Sequence, residues 1–408
     1  MAPSEKMRDI NPRHTWWYRF FMRVPVRCFI LPLGRGPFKV KTERYKGEMP
    51  SRPFIMVFNH TTDYDFIGTV NGIPEYGRYI ISDEIIKKRW KRAIITTATD
   101  GIFRRKGENA DRVVAAVKET LDQGINVYFA AEGEECHNGV TAPVRRRTGQ
   151  MIKDMGVDLM TFKMEGGYLM KPKWAKNKSK GHLYGRVAGI YKKEDLAKMT
   201  PEEINELIER DFKFNVYDWV KENKIPYDRK DRAEYMEKML YRCPHCGALY
   251  KMHSKKDDFF CEACGYKLTV NEYGLFEGED VRFDNIYDWD VWQTQCLREE
   301  SVHWAENPDE VIASDTGCTL IRMHGNATEW MSKGDVNLSI TYNEVIIESP
   351  KVHMRMPLKD LRGLQSVRNG ISLSYNGEYF KVLCLQYPQC MRRYRVIRRI
   401  IMGEKYVG

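Results

Sequence analysis

Apolar residues fall into short runs and stripes whose period changes along the chain. Between Tyr45 and Tyr191, compact apolar runs at 54–58, near 78–82, and at 125–131, 157–162 and 182–191 predict strands. Stripes at helical spacing between them predict helices near 64–71, at 108–123 and at 146–155. Strands alternating with helices predict an α/β layer around a largely parallel sheet, with functional residues at the carboxyl ends of strands. Gly124, just past Gln123, stops the helix at 108–123, and Asn109 or Glu108 lies near its start. Thr200-Pro201-Glu202-Glu203 opens a further helix, 201–211: Thr200 caps, Pro201 suits the first helical position and Glu203 completes a capping box.

From Val311 the period becomes that of strands, at 318–324, 336–341, 344–348, 352–356, 371–375 and 379–385. Turns are expected at Lys333-Gly334, Asn369-Gly370 and Asn376-Gly377. A helix over 388–402 closes the segment and carries Arg392, Arg393, Arg395, Arg398 and Arg399 as a solvated face, or as a contact with anionic lipid. A small antiparallel sandwich with a closing helix resembles a pleckstrin-homology-like domain. The acidic stretch 270–308 reads as helix and linker, with Trp289, Trp292 and Trp304 packing on a neighbouring domain.

Near the start, His14 to Leu33 interleaves aromatics with Arg19, Arg23 and Arg27, four residues apart and so on one helical face. Trp17, Phe20, Phe21 and Val24 occupy the others. The segment is too charged, and interrupted by Pro25, for a membrane span, and fits a helix lying in the bilayer interface. A surface helix packed on the next domain is the alternative. No secretory signal is legible.

With 408 residues, 42% apolar and 30% charged, the composition is that of a globular protein of two or three domains. The net charge of +10 favours acidic partners such as lipid headgroups, phosphorylated substrates, acyl-carrier protein or nucleic acid, without choosing among them. Four of the ten cysteines form Cys243-x2-Cys246 and Cys261-x2-Cys264, each pair followed by glycine. Two tight turns presenting four thiolates predict a closed tetrahedral, structural zinc site in a reducing compartment. His245 and His253 are not needed as ligands. Cys28, Cys136, Cys296, Cys318, Cys384 and Cys390 are expected as free thiols.

The buried strand 54–58 ends at Asn59-His60, and Asp63 and Asp65 follow. Residues five apart do not share a helical face, so His60 belongs on a loop, with Thr61 or Thr62 capping a helix whose first turn carries Asp65. These are the parts of a general base and its orienting acid, while the spacing by itself favours a structural histidine and a helix-capping aspartate. Then come Gly101-Ile-Phe-Arg104-Arg105-Lys106-Gly107, Val127-Tyr-Phe-Ala-Ala-Glu132-Gly133 and Val157-Asp-Leu-Met-Thr-Phe162. In order and spacing these blocks resemble the glycerolipid acyltransferase family, typified by 1-acylglycerol-3-phosphate acyltransferases, over roughly residues 40–240. An acyltransferase domain, a helical segment and a zinc ribbon in that order resemble bacterial members. One departure is Glu135, which stands where the family usually has arginine.

The resemblance implies transfer of a fatty acyl group from acyl-CoA or acyl-carrier protein to a hydroxyl of a lipid acceptor, most simply 1-acylglycerol-3-phosphate. It assigns catalysis to His60 and Asp65, phosphate binding to Arg104 and Arg105, and the acceptor site to Glu132 and Gly133; Arg145, Arg146 and Arg147 are offered as replacement charge. It implies phospholipid biosynthesis on the inner face of the cell membrane, with the protein cytoplasmic and peripheral. The expected organisation is 1–44 membrane-interface segment, 45–192 α/β domain, 193–240 helical extension, 241–270 zinc ribbon, 271–310 helical linker and 311–408 β domain. Alternatives are another lipid acceptor, a family member without activity, or a non-enzymatic zinc-ribbon scaffold binding nucleic acid. The spread of Lys and Arg along the chain, and the acidic Asp257, Asp258 and Glu262 in the ribbon, argue against nucleic acid.

Overall fold

The computed structural model describes residues 40–62, 64–73, 75–82, 101–104, 111–133, 135–179, 181–324, 327–367, 369–385 and 390–404. The interface helix expected over His14–Leu33, together with Cys28, Asp63, Arg105 and Lys106, lies outside them.

Strands β1 (Val40–Thr42), β2 (Phe54–Phe58), β3 (Gly77–Ser82), β4 (Ile102–Arg104), β5 (Asn126–Ala130), β6 (Asp158–Glu165) and β7 (Leu183–Tyr191) form one sheet in the order β1-β7-β6-β2-β5-β3-β4. From β6 to β4 neighbours are parallel; β7 runs antiparallel to β6, and β1 parallel to β7. β2 lies between β6 and β5 with every residue buried, which is why it is apolar throughout. Its alternating side chains feed two cores. Phe54, Met56 and Phe58 join Met160, Phe162 and Tyr128, while Ile55 and Val57 join Leu159, Val127 and Phe129. Burial of each such side chain stabilises the fold by roughly 1.5–3 kcal/mol.

Helix α1 (Asp65–Gly72) lies against β1 and β7. The second core takes side chains from α2 (Asp111–Asp122), α3 (Arg147–Met155) and α4 (Pro201–Phe212). The capping box of α4 is present: Glu203 N donates to Thr200 Oγ1 at 3.1 Å, and Thr200 N to Glu203 Oε2 at 2.6 Å. After α5 (Val216–Asn223) the expected helical extension gives way to irregular chain with a short 3-10 turn at Met236–Lys238. Lys224 turns left-handed at φ 51° and Pro226 follows, so the helix stops. Tyr227, Ala233, Met236, Met239 and Leu240 then bury themselves in the first core.

The cysteine module is a four-stranded antiparallel sheet, β8 (Met252–Lys255), β9 (Asp258–Cys261), β10 (Lys267–Val270) and β11 (Phe276–Glu277), ordered β11-β10-β9-β8. β11 falls where linker was expected. Helix α6 (Ile286–Glu306) joins this sheet to the last domain. Near its start, Trp289 is buried among Phe259, Tyr266, Phe276 and Phe283. Near its end, Leu297 and Trp304 enter the core of the β domain.

That domain contains β12 (Ala313–His324), β13 (Ala327–Ile340), β14 (Glu344–Ser349), β15 (Val352–Pro357), β16 (Arg362–Val367), β17 (Gly370–Tyr375) and β18 (Glu378–Leu383), then helix α7 (Arg392–Ile401). The strands are antiparallel, in the order β15-β14-β13-β12-β18-β17-β16. Lys333-Gly334 is not a turn: it lies within β13 at a register shift, where residues 333–335 lie opposite the single Thr319 of β12 and a bulge accommodates the two extra residues. β16 had no clear alternation to announce it. Among the described residues no helix is long and apolar enough to cross a membrane.

The arginines of α7 are the largest departure from expectation. Arg392, Arg393 and Arg395 are buried, because each finds polar partners in the interior. Arg393 donates to Asp315 Oδ2 at 2.6 Å and to Ser314 O at 3.0 Å, and Tyr394 Oη donates to the same carboxylate at 2.7 Å. A lipid contact through these three is therefore replaced by internal ion pairs and hydrogen bonds. Arg393→Met strands Asp315 in the interior and is expected to cost about 3–5 kcal/mol in urea unfolding of this domain. Arg399→Gln, which breaks a partly exposed pair with Glu404, should cost about 0–1 kcal/mol. Equal losses would refute the distinction.

Candidate active site and metal centre

The site begins where β2 ends. Asn59, buried, donates Nδ2 to Met164 O at 2.8 Å and accepts from Met164 N through Oδ1 at 2.6 Å. This side-chain clasp extends the β2–β6 contact and fixes where the chain leaves the sheet. His60 follows on a loop, and Asp65 is the first residue of α1. The loop folds back so that His60 Nδ1 lies 2.9 Å from Asp65 Oδ2. The expected threonine cap is reversed. α1 begins after Tyr64 with no side-chain cap, and it is Asp65 that collects the loop: Oδ2 accepts from Thr61 N at 2.7 Å and Thr62 N at 3.0 Å, and Oδ1 from Thr61 Oγ1 at 2.7 Å.

A carboxylate only accepts, so a neutral His60 keeps its proton on Nδ1 and leaves Nε2 with a lone pair. Burial opposes the charged imidazolium, but the hydrogen bond and charge of Asp65, helped by Glu135, outweigh it. The pKa of His60 stands above the ordinary 6.5 despite a small opposing effect of Lys173. The side chain is 29% exposed and can be reached by a substrate.

Glu132 lies two residues beyond the end of the adjacent strand, β5, at the same rim. Its Oε1 accepts from His60 N at 3.0 Å and its Oε2 from Ala142 N at 3.1 Å, so the carboxyl ties the loop after β2 to the loop after β5. Burial pushes its pKa up to about 8, against these two backbone donors. Arg145 lies beside Gly133 and donates Nε to Glu132 O at 3.2 Å, whereas Arg146 and Arg147 are exposed. Cys136 N donates to His60 O at 2.7 Å. Its thiol is buried, burial pushes its pKa far up, and it bonds to Gly139 N and Val140 O, which suits a packing role. Arg104 ends β4, three strands from β2. It pairs with Ser82 of β3, and three strand spacings of about 4.8 Å put β4 about 14 Å from β2 across the sheet. Arg105 lies outside the described residues.

Asn59 and Lys173 escape a reading of sequence. A polar residue ending an apolar strand beside a histidine was the available signal for Asn59. Lys173 comes from the β6–β7 connection and donates to Glu135 O at 3.2 Å, which no local pattern announces.

The four expected metal ligands do converge. Cys243 Sγ is 3.8 Å from Cys264 Sγ, Cys246 Sγ is 3.8 Å from Cys261 Sγ, and all four lie within 4.8 Å of one another. A tetrahedron with metal–sulfur bonds of about 2.3 Å has edges of about 3.8 Å, so the donors fit such an ion. The two turns are near copies: Gly247 N donates to Cys243 O, and Gly265 N to Cys261 O, each at 2.9 Å. Gly247 and Gly265 take φ of 74° and 77°, the left-handed region that glycine enters without penalty. His245 stacks on Tyr266 and His253 Nε2 pairs with Glu262 at 3.1 Å.

Residues 38–165 match the model of the family described as Acyltransferase, and this part of the chain is an acyltransferase domain. The match contains His60, Asp65, Arg104, Arg105, Glu132 and Gly133 and ends before the cysteine module. Among solved structures, the chain is similar to the 1-acyl-sn-glycerophosphate (LPA) acyltransferase PlsC from Thermotoga maritima, with 17% identity and a TM-score of 0.36, over 51% of this chain and 87% of that one. Among curated proteins, it is 27% identical over 107 residues to the acetyl-coenzyme A carboxylase carboxyl transferase subunit beta of Chlorobium phaeobacteroides, strain DSM 266. That stretch is 26% of this chain, and spans about a third of the relative's length, 34%.

The geometry around His60 makes a titration prediction. A raised pKa means that the imidazolium stabilises the fold fully below about pH 6.5, and that this is lost as pH rises through the folded value. In Asp65→Asn, NMR titration should find the His60 pKa lower than in the wild type. The substitution should also cost more stability at acid than at alkaline pH. An unchanged His60 titration would sink this electrostatic account.

Proposed function

We propose that the domain transfers a fatty acyl group from acyl-CoA or acyl-carrier protein to a hydroxyl of a glycerolipid acceptor, with 1-acylglycerol-3-phosphate as the acceptor. The observation that carries this reading is the 2.9 Å contact between His60 Nδ1 and Asp65 within an acyltransferase domain. In this mechanism Nε2 of His60 takes the hydroxyl proton as the hydroxyl oxygen attacks the thioester carbonyl. The tetrahedral intermediate collapses, the carbon–sulfur bond breaks, and the departing thiolate receives that proton from the imidazolium. Asp65 holds the tautomer and stabilises the imidazolium. No acyl-enzyme is required.

Arg104 and Arg105 are the phosphate-binding residues of this proposal, since guanidinium can hold phosphate through two hydrogen bonds. Glu132 and Gly133 border the acceptor site. The four cysteines hold one structural zinc ion, with no open position for chemistry. The closing β domain, with its meanders of four and three strands followed by a helix, is read as pleckstrin-homology-like. The protein is placed on the inner face of the cell membrane through residues 14–33. Glu135 favours a second reading of the acceptor. It lies close enough to influence His60, and an acidic group in the place of an arginine suits a hydroxyl lipid without a phosphate monoester.

The test supplies labelled acyl-CoA or acyl-carrier protein with lysophosphatidic acid, glycerol 3-phosphate and lysolipids lacking a phosphate monoester. Transfer to at least one is expected, and His60→Ala should lower it by about 10²–10⁴-fold. Asp65→Asn should be severely impaired and Asp63→Asn should not. Arg104→Ala should chiefly raise the KM of a phosphate acceptor. Preference for a phosphate-free acceptor would replace the acceptor assignment, and full activity of His60→Ala would refute the mechanism. Metal analysis should find about one zinc per chain, released by Cys243→Ser or Cys264→Ser with local unfolding of the ribbon.

A further inference from the structure

We propose that helix α7 of the C-terminal β domain positions the active-site loop, with Arg392 and Arg395 acting as positioning residues through Asp290, Asn138 and His137. The proposal rests on the acyl-transfer reading above. Between β5 and the bridge at Val140, the described residues 131–133 and 135–139 contain no regular secondary structure, so their path is set by the contacts they make. On one side Cys136 N holds His60 O at 2.7 Å. On the other, the next two residues are held by the far end of the chain.

Asn138, buried, donates Nδ2 to Asp290 Oδ2 at 3.0 Å. Asp290 stands on α6 and is also buried; Arg392 donates to both its oxygens, Nη1 to Oδ1 at 2.7 Å and Nη2 to Oδ2 at 2.9 Å. A two-pronged, desolvated pair of this kind fixes direction as well as distance. Three residues along α7, Arg395 Nη1 lies 3.1 Å from His137 Nε2. Arginine can only donate, so His137 accepts there. The backbone oxygen of His137 accepts from Tyr168 Oη at 3.0 Å, which holds the residue from the acyltransferase side.

Contacts that merely join two domains could fall anywhere on the facing surface. These fall on consecutive residues, immediately after the one whose amide anchors His60. A small shift of α7 is thus passed to the loop that sets the imidazole's position, and a displacement near 1 Å can lower a rate by about a hundredfold.

The test uses full-length Arg395→Met and Asn138→Ala, with Arg399→Gln as control on the same helix. Acyl transfer and amide hydrogen exchange are both measured. In folded variants, exchange over 131–142 should quicken by about tenfold while the strands of the β domain are unchanged. kcat should fall about ten- to a hundredfold with the acceptor KM unaltered. Arg395→Lys, which keeps a cationic donor, should recover part of the rate, and Arg399→Gln should match the wild type. Unchanged kcat and loop exchange in both variants would overturn the proposal, as would faster exchange spread through the whole chain. If one variant fails to fold, the other and Arg395→Lys decide. If the wild type acylates no acceptor in the panel, the functional reading falls, and loop exchange alone then decides whether α7 holds the loop.

Discussion

The buried carboxylate of Asp65 is the constraint on which the site depends. A charge that is 2% exposed on its side chain persists only where hydrogen bonds replace the water it has lost. Here two amides, a hydroxyl and an imidazole N–H supply them, all from His60, Thr61 and Thr62. The chain therefore folds the loop tightly around the anion, and the same contacts aim His60. Stability of the turn and chemistry of the imidazole have one physical origin.

The sheet delivers this loop to its place. Parallel β2 and β5 both end at the same rim, so the residues that follow them meet, and Glu132 binds one loop to the other through backbone amides. Asn59 does the same between β2 and β6. Polar side chains that terminate apolar strands thus continue the sheet's hydrogen bonding a step beyond its last regular pair. Such polar links are buried and costly to leave unmade, which makes the rim stiff around His60.

Beyond the sheet, the architecture relies on side chains that bridge modules. Trp289 packs α6 on the cysteine module, Trp304 packs it in the β domain, and Asp290 between them receives Arg392 and Asn138. The cysteine module shares its apolar residues with the first core, and its four cysteine sulfurs converge within 4.8 Å of one another at one end of it.

Local chemistry determined much of this from the sequence. Compact apolar runs and helical stripes announced the α/β layer, Thr200 and Glu203 announced α4, and two Cys-x2-Cys-Gly turns announced the converging cysteines, because each signal lies within a few residues. The placement of His60 on a loop before Asp65 was legible for the same reason. Tertiary structure decided what lies far apart along the chain. Asn138 meets a carboxylate 152 residues away, and Arg392 meets the same one across 102 residues. A run of arginines looks identical whether water or buried aspartates await it, so only the folded chain could turn the basic face of α7 inward. The same holds for Lys173 beside Glu135: hydrophobic period records which face is buried, but not which charges the burial brings together.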